Sequence, residues 1–186
     1  MNLSENKLKL KRAFYKSLYL VQYKEHPPYA YMMYQATQQA LALGIKKISV
    51  IEFGVAGGNS LVSMEKHALA LSEIFDIEYE IYGFDTAEGL PELEGYKDIM
   101  HQWQEGHFPM DLEKLKSRLQ FANLVIGNVK TTIPNFIEAY SPAPIGAISF
   151  DVDLYSSTRD ALKIFDVAGD HMLPRVRCYF DDVVGT

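Results

Sequence analysis

Apolar positions along the chain fall into short continuous runs separated by stretches of helical period. Residues 47–53, 79–84, 123–126, 146–150 and 176–180 are rich in Ile, Val, Tyr and Phe and read as strands. Helical spacing covers about 4–22, where His26-Pro27-Pro28 follows as a breaker, and about 29–43, which ends at Gly44. Further helices are expected at about 60–74, 111–121, 134–140 and 157–168, the last with Ser156, Ser157 or Thr158 available as a cap. Strands that alternate with helices imply βαβ units, hence an α/β domain with a parallel sheet covered on both faces. No repeat or linker interrupts the pattern.

The most informative stretch is residues 48–60, ISVIEFGVAGGNS. Ile48, Val50 and Ile51 suit a buried strand, and Gly54, Gly57 and Gly58 allow a sharp turn. Asn59 and Ser60 can cap the next helix, so that free N–H groups face the crevice above the strand. The spacing Glu52-x-Gly54-x-x-Gly57-Gly58 fits neither the dinucleotide fingerprint nor a P-loop, and the turn carries no Lys or Arg for a phosphate. An acid at Glu52 suits a ligand with a cationic amine; the competing reading is a tight turn that binds nothing.

In an open parallel sheet, ligands bind beyond the carboxyl ends of the strands. Those ends carry Glu52, Asp85, Gly127-Asn128, Asp151 with Asp153, and Asp181 with Asp182. Asp85 can accept both hydroxyls of a ribose or cap a loop, and Asn128 can touch an adenine edge or serve its turn. If the fourth and fifth strands are neighbours, Asp151, Asp181 and Asp182 converge, and their mutual repulsion calls for a cation. Carboxylates without His or Cys suit Mg²⁺; solvated loop acids are the alternative.

Composition narrows the classes. The chain has 186 residues, 48% hydrophobic, which is enough for the core of one domain. A net charge of -6 argues against a nucleic-acid surface, and the basic run Lys7, Lys9, Lys11, Arg12, Lys16 reads as the solvated face of an amphipathic helix. The one cysteine, Cys178, excludes a disulfide framework and is expected to be buried and inert. No segment approaches the roughly 20 apolar residues of a membrane span, and the expected location is cytoplasmic.

The glycine turn, the acid after the second strand and the acids after the fourth and fifth together resemble a class I S-adenosylmethionine-dependent methyltransferase. The segments GFDTAEGLPE (83–92), QEGHF (104–108), FDVDLYSSTRDAL (150–162) and YFDDV (179–183) resemble the metal-dependent, macrocin-type sugar O-methyltransferases. The resemblance spans roughly residues 48–183. It implies a Rossmann-like methyltransferase fold with strand order 3-2-1-4-5 and N-terminal helices. Residues 1–45 would then form a lid or oligomer contact, and 46–186 the cofactor-binding domain.

The resemblance also implies S-adenosylmethionine bound by Glu52, Gly54, Gly57, Gly58 and Ser60, with Asp85 on the ribose and Asn128 near the adenine. Asp151, Asp181 and Asp182 would hold Mg²⁺. Catechol-type relatives place a lysine base where this chain has Leu154, so Asp153 is the candidate base, with His107 as the alternative. His101, Trp103 and His107 on the long connection are candidate contacts for a small-molecule hydroxyl acceptor, or surface and packing residues.

That fold normally continues with a helix and an antiparallel strand pair, whereas this chain stops at Thr186, so a binding protein without turnover is a competing expectation, as is a homo-oligomer. Asp151-Val152-Asp153 also fits a nucleotide-sugar glycosyltransferase, which leaves the glycine turn and Asp85 unexplained. A haloacid dehalogenase-type phosphatase would want Thr or Val where Tyr155 stands.

Overall fold

The computed structural model describes residues 26–181, together with Ala13. The remainder of the expected helix over 4–22 lies outside the described residues, as does Asp182. Five strands form one parallel sheet: β1 (Lys47–Phe53), β2 (Glu78–Asp85), β3 (Asn123–Ile126), β4 (Ile145–Phe150) and β5 (Met172–Phe180). Their spatial order is β3-β2-β1-β4-β5, the order expected of a Rossmann-like methyltransferase fold. β1 is buried at every residue after Lys47 and β4 throughout, which is why both read as unbroken apolar runs.

The helices are α1 (Pro27–Ala42), α2 (Asn59–Ile74), α3 (Leu112–Arg118), α4 (Val129–Tyr140), α5 (Tyr155–Ala161) and α6 (Ile164–Val167). One face of the sheet presents Ile48, Val50 and Ile81 to Met33 and Ala36 of α1 and Leu61 and Met64 of α2. The other presents Ile51, Phe53, Phe84 and Phe150 to Ile133 and Phe136 of α4 and Ile164 of α6. Residues two apart share a face, as the pleat requires. α1 is built into the core of the sheet domain, with Met33, Ala36 and Ala40 fully buried.

Several boundaries differ from the sequence reading for identifiable reasons. α3 stops at Arg118 because the buried Glu65 carboxylate accepts N–H bonds from Gln120, Phe121 and Ala122, which pulls the chain out of the helix. α4 starts before Pro134: Asn128 Oδ1 accepts from Lys130 N at 2.9 Å and caps it, and Pro134 sits inside the helix. The expected helix 157–168 is two helices, and its cap is not a serine or threonine; Leu154 stands at the N-cap with no side-chain bond. Likewise Gly58, not Asn59 or Ser60, is the N-cap of α2. β5 begins at Met172 despite Pro174, which an edge strand tolerates.

Cys178 is exposed, contrary to expectation, because β5 lies at the sheet edge. Desolvation by its neighbours still pushes the thiol up, so it is expected to react with an aromatic disulfide reagent in the native protein without denaturant, more slowly than a free thiol and faster as pH rises. A thiol that labels only after unfolding would contradict this placement.

Candidate functional site

The strand order reverses between β1 and β4, and the crevice above their carboxyl ends is built by a close approach. Gly54 has a φ of 84°, and a Cβ on it would lie 1.6 Å from the Asp151 carbonyl oxygen. Gly54 N donates to Phe84 O at 2.9 Å and Asp151 N to Phe53 O at 2.8 Å, so the turn is clamped between β2 and β4. Gly58, with φ 72°, packs against Leu115; a Cβ on Gly57 would meet no protein atom within 4 Å. Gly57 instead lines an open cavity.

Two cavities flank the turn. The first, of about 270 Å³, is lined by Gly54, Asp85, His107, Asn128, Asp151 and Asp153 together with apolar Phe84, Leu90 and Phe108. The second, of about 320 Å³, is lined by Gly57, Gly58, Ser60, Asp151 and Asp181, with Tyr29 and Tyr179 as its aromatic wall. The Tyr29 and Tyr179 rings lie 5.4 Å apart. Asp151 lines both cavities, so the candidate base residues Asp153 and His107 are on one side of it and Asp181 is on the other.

Glu52 lies beneath the turn, fully buried, and neither carboxylate oxygen has a hydrogen-bond partner. Burial above all, with the Asp151 and Asp85 charges, pushes its carboxyl up to about 8; the Ser60 and Tyr29 hydroxyls nearby pull the other way without completing a bond. The Tyr29 phenol is likewise pushed well up, first by burial and then by the Glu52 charge. A buried, unpartnered acid is costly to ionise unless a cation arrives.

Asp85 is already occupied by the main chain. Its Oδ2 accepts from Val55 N and Ala56 N, both at 2.9 Å, and Oδ1 from Ala87 N at 2.7 Å. A carboxylate offers about four acceptor sites, so Asp85 ties the glycine turn to the next loop and keeps capacity for one further donor. Ala56 and Ala87 both take left-handed φ, 45° and 64°. Phe108 (61°) and Asp153 (57°), which line the first cavity, do so as well. Backbone strain of this kind collects where a site over-determines its geometry. Asn128 lines the cavity but spends its oxygen on capping α4.

The long connection closes one side. Leu90 N donates to His107 O and Gly106 N to Leu90 O, and a Cβ on Gly89 would lie 2.5 Å from His107 O. Trp103 packs on Phe108, with centroids 5.6 Å apart, and lines neither cavity; His101 is exposed. Asp181 accepts from Tyr179 OH at 2.6 Å. Among the described residues no group of three His, Cys, Asp or Glu side chains gathers to hold a metal ion. Tyr29 and Tyr179 are cavity walls that sequence reasoning misses, since nothing in their local pattern separates them from core residues.

The chain matches no protein-family model and no curated protein. Solved structures do resemble it. CalS11, a calicheamicin methyltransferase, superimposes with a TM-score of 0.60 at 20% identity, covering 98% of this chain and 79% of that one. A second, apo structure of CalS11, described as a TDP-rhamnose 3'-O-methyltransferase of calicheamicin biosynthesis, gives 0.50 at 20% identity, with 98% and 80% covered. At this identity the likeness establishes the shared fold. Among the described residues no helix is long and apolar enough to cross a membrane.

Proposed function

We propose that this chain is an S-adenosylmethionine-dependent O-methyltransferase of the macrocin type, acting on a hydroxyl of a small molecule in the cytoplasm. The observation that carries the reading is Glu52: a fully buried acid with no partner, under a glycine turn whose Gly57 faces open space. The α-ammonium of the cofactor's methionine part matches that acid, and the turn admits its backbone. Asp85 has one acceptor site left for a ribose hydroxyl, and Phe108 and Leu90 offer apolar surface to a purine in the first cavity. Bound there, the cofactor would supply an electrophilic methyl group on a sulfonium.

The cofactor's methionine part would enter the second cavity beside Gly57, and the acceptor is assigned to the opposite side of that cavity, where Tyr29 and Tyr179 present aromatic surface and Asp151 and Asp181 present hard oxygen donors. These two acids, with Asp182, would hold Mg²⁺, whose charge would lower the pKa of an acceptor hydroxyl. Asp153 or His107, which line the first cavity, would take the proton from an acceptor hydroxyl that reaches the boundary marked by Asp151, the residue both cavities share. Positioning does most of the remaining work, since orientation alone can supply about 7 to 11 kcal/mol of a barrier. The resemblance of fold to a sugar O-methyltransferase supports this reading over a nucleotide-sugar glycosyltransferase.

The experiment is a calorimetric titration with S-adenosylhomocysteine, with and without Mg²⁺, followed by Asp181→Ala. Micromolar binding, about -8 kcal/mol, is expected. Asp181→Ala should keep that affinity and lose Mg²⁺-dependent methyl transfer. Tight binding of a nucleotide-sugar in place of the homocysteine would overturn the assignment, and unchanged turnover in the variant would remove Asp181 from the site.

A further inference from the structure

Beyond the two cavities, the structure buries Glu65, Asp98 and Asp160, acids that the reaction above does not use, and of these Asp98 joins the long connection to the turn that follows β4. Asp98, in the short helical turn Tyr96–Asp98 of the long connection, is 2% exposed. Its Oδ1 accepts from Ser156 N at 2.8 Å, and its Oδ2 from Ser156 Oγ at 2.8 Å and Glu94 N at 2.7 Å. Burial pushes its carboxyl upward, but those bonds and the Arg159 charge outweigh it and hold the group below the usual carboxylate range. Asp98 therefore stays charged at neutral pH and caps α5 from outside the helix.

Its neighbours repeat the connection. Arg159 Nη2 lies 2.8 Å from Glu94 Oε2, and Lys97 Nζ sits 4.5 Å from the centroid of the Tyr155 ring. Both contacts are solvent-exposed and weak by themselves. The Asp98 bonds are buried and charge-assisted, roughly twice as strong as neutral ones. The turn they hold carries Asp151 and Asp153, and Asp153 has the left-handed φ of 57° that only surrounding structure sustains. The other end of the same connection walls the first cavity through Gly89, Leu90 and Pro91.

We infer that Asp98 is a positioning residue: through Ser156 it fixes the turn bearing Asp151 and Asp153 against the wall formed by the long connection. It sets the geometry of the transfer cavity while touching no ligand. Its effect on turnover rests on the methyltransferase reading; its effect on the turn does not.

The test uses the full chain with Asp98→Asn, whose amide would oppose a donor at Ser156 N or Glu94 N, and with Ser156→Ala, which removes one bond and leaves the backbone cap. Amide hydrogen exchange over 151–157 and 94–98 should quicken by about tenfold or more in Asp98→Asn and less in Ser156→Ala, with β1 and β2 unchanged. S-adenosylhomocysteine affinity should stay within about twofold while kcat for methyl transfer falls about 10- to 100-fold, the size of effect expected for small misplacements. Exchange that is unchanged at 151–157, or that rises uniformly over the sheet, would overturn the inference. Equal losses of affinity and kcat would also do so. If the wild-type chain binds no S-adenosylhomocysteine, the functional proposal fails and the exchange result still decides the role of Asp98. If Asp98→Asn does not fold, Ser156→Ala decides by the same readings.

Discussion

Gly54→Ala is expected to leave little or no folded protein, although it adds a single methyl group. The Cβ would stand 1.6 Å from the Asp151 carbonyl oxygen and 2.6 Å from its carbonyl carbon. Those are backbone atoms of β4's continuation, so no rotamer change relieves the clash. The left-handed φ of 84° adds about 1–2 kcal/mol for any residue with a Cβ. Overpacking typically costs another 1–3 kcal/mol even where side chains can adjust. Together these come to about 2–5 kcal/mol, and a clash between backbone atoms that cannot adjust stands at or beyond the upper end, a large share of the roughly 5–15 kcal/mol that holds a domain together.

Gly57→Ala is the control. Its Cβ meets nothing within 4 Å, so stability should change little while the methyl group intrudes on the second cavity and weakens ligand binding. Urea denaturation of both variants beside the wild type makes the comparison. A wild-type midpoint for Gly54→Ala would mean that β1 and β4 do not approach as described.

Much of this architecture was legible because burial on both faces of a central strand writes itself as a continuous apolar run. β1 and β3 have the bounds that their apolar runs predict, and the carboxyl-end acids mark the crevice. What escaped the sequence depends on bonds between distant residues. Glu65 ends α3 from 55 residues away, and Asp98 caps α5 from 58 residues away. Neither leaves a periodic or local signal. Edge position hides in the same way: Cys178 sits in an apolar run but on a strand that, among the described residues, pairs along one side only.

Site chemistry was legible in its residue types more than in its roles. An acid after β2 is evident, and so is its capping of the next loop through Ala87 N; the donors Val55 N and Ala56 N are not, because they come from the turn that follows β1, about 30 residues away. The division of the acids between two cavities was equally hidden. It follows from the single close contact at Gly54, which places Asp151 at the boundary.

Glu52 should make the ligand-free chain less stable as pH rises, the reverse of the usual behaviour of a carboxylate. Its carboxyl titrates at 4.5 in an ordinary setting and at about 8 in the folded chain. Between those values the folded state holds a proton that the unfolded state has released. Its contribution to stability is therefore fully present below about 4.5 and lost as pH rises through about 8. At about 1.4 kcal/mol for each tenfold change in proton affinity, the loss is on the order of 5 kcal/mol.

Glu52→Gln, neutral at every pH, should remove that decline, so that the variant exceeds the wild type in stability at pH 8 and the two converge near pH 5. A ligand carrying an ammonium group reverses the balance, because it favours the ionised acid and draws its titration back down. Binding of S-adenosylhomocysteine below pH 8 should then release a proton, seen as a binding enthalpy that changes with the ionisation enthalpy of the buffer. In Glu52→Gln the proton release should vanish and the affinity fall by about tenfold or more, the scale of a lost bond to a charged group. Stability that is flat from pH 5 to 8 in the wild type would show that Glu52 is ionised in the free chain. Proton release that persists in the variant would place the linked group elsewhere.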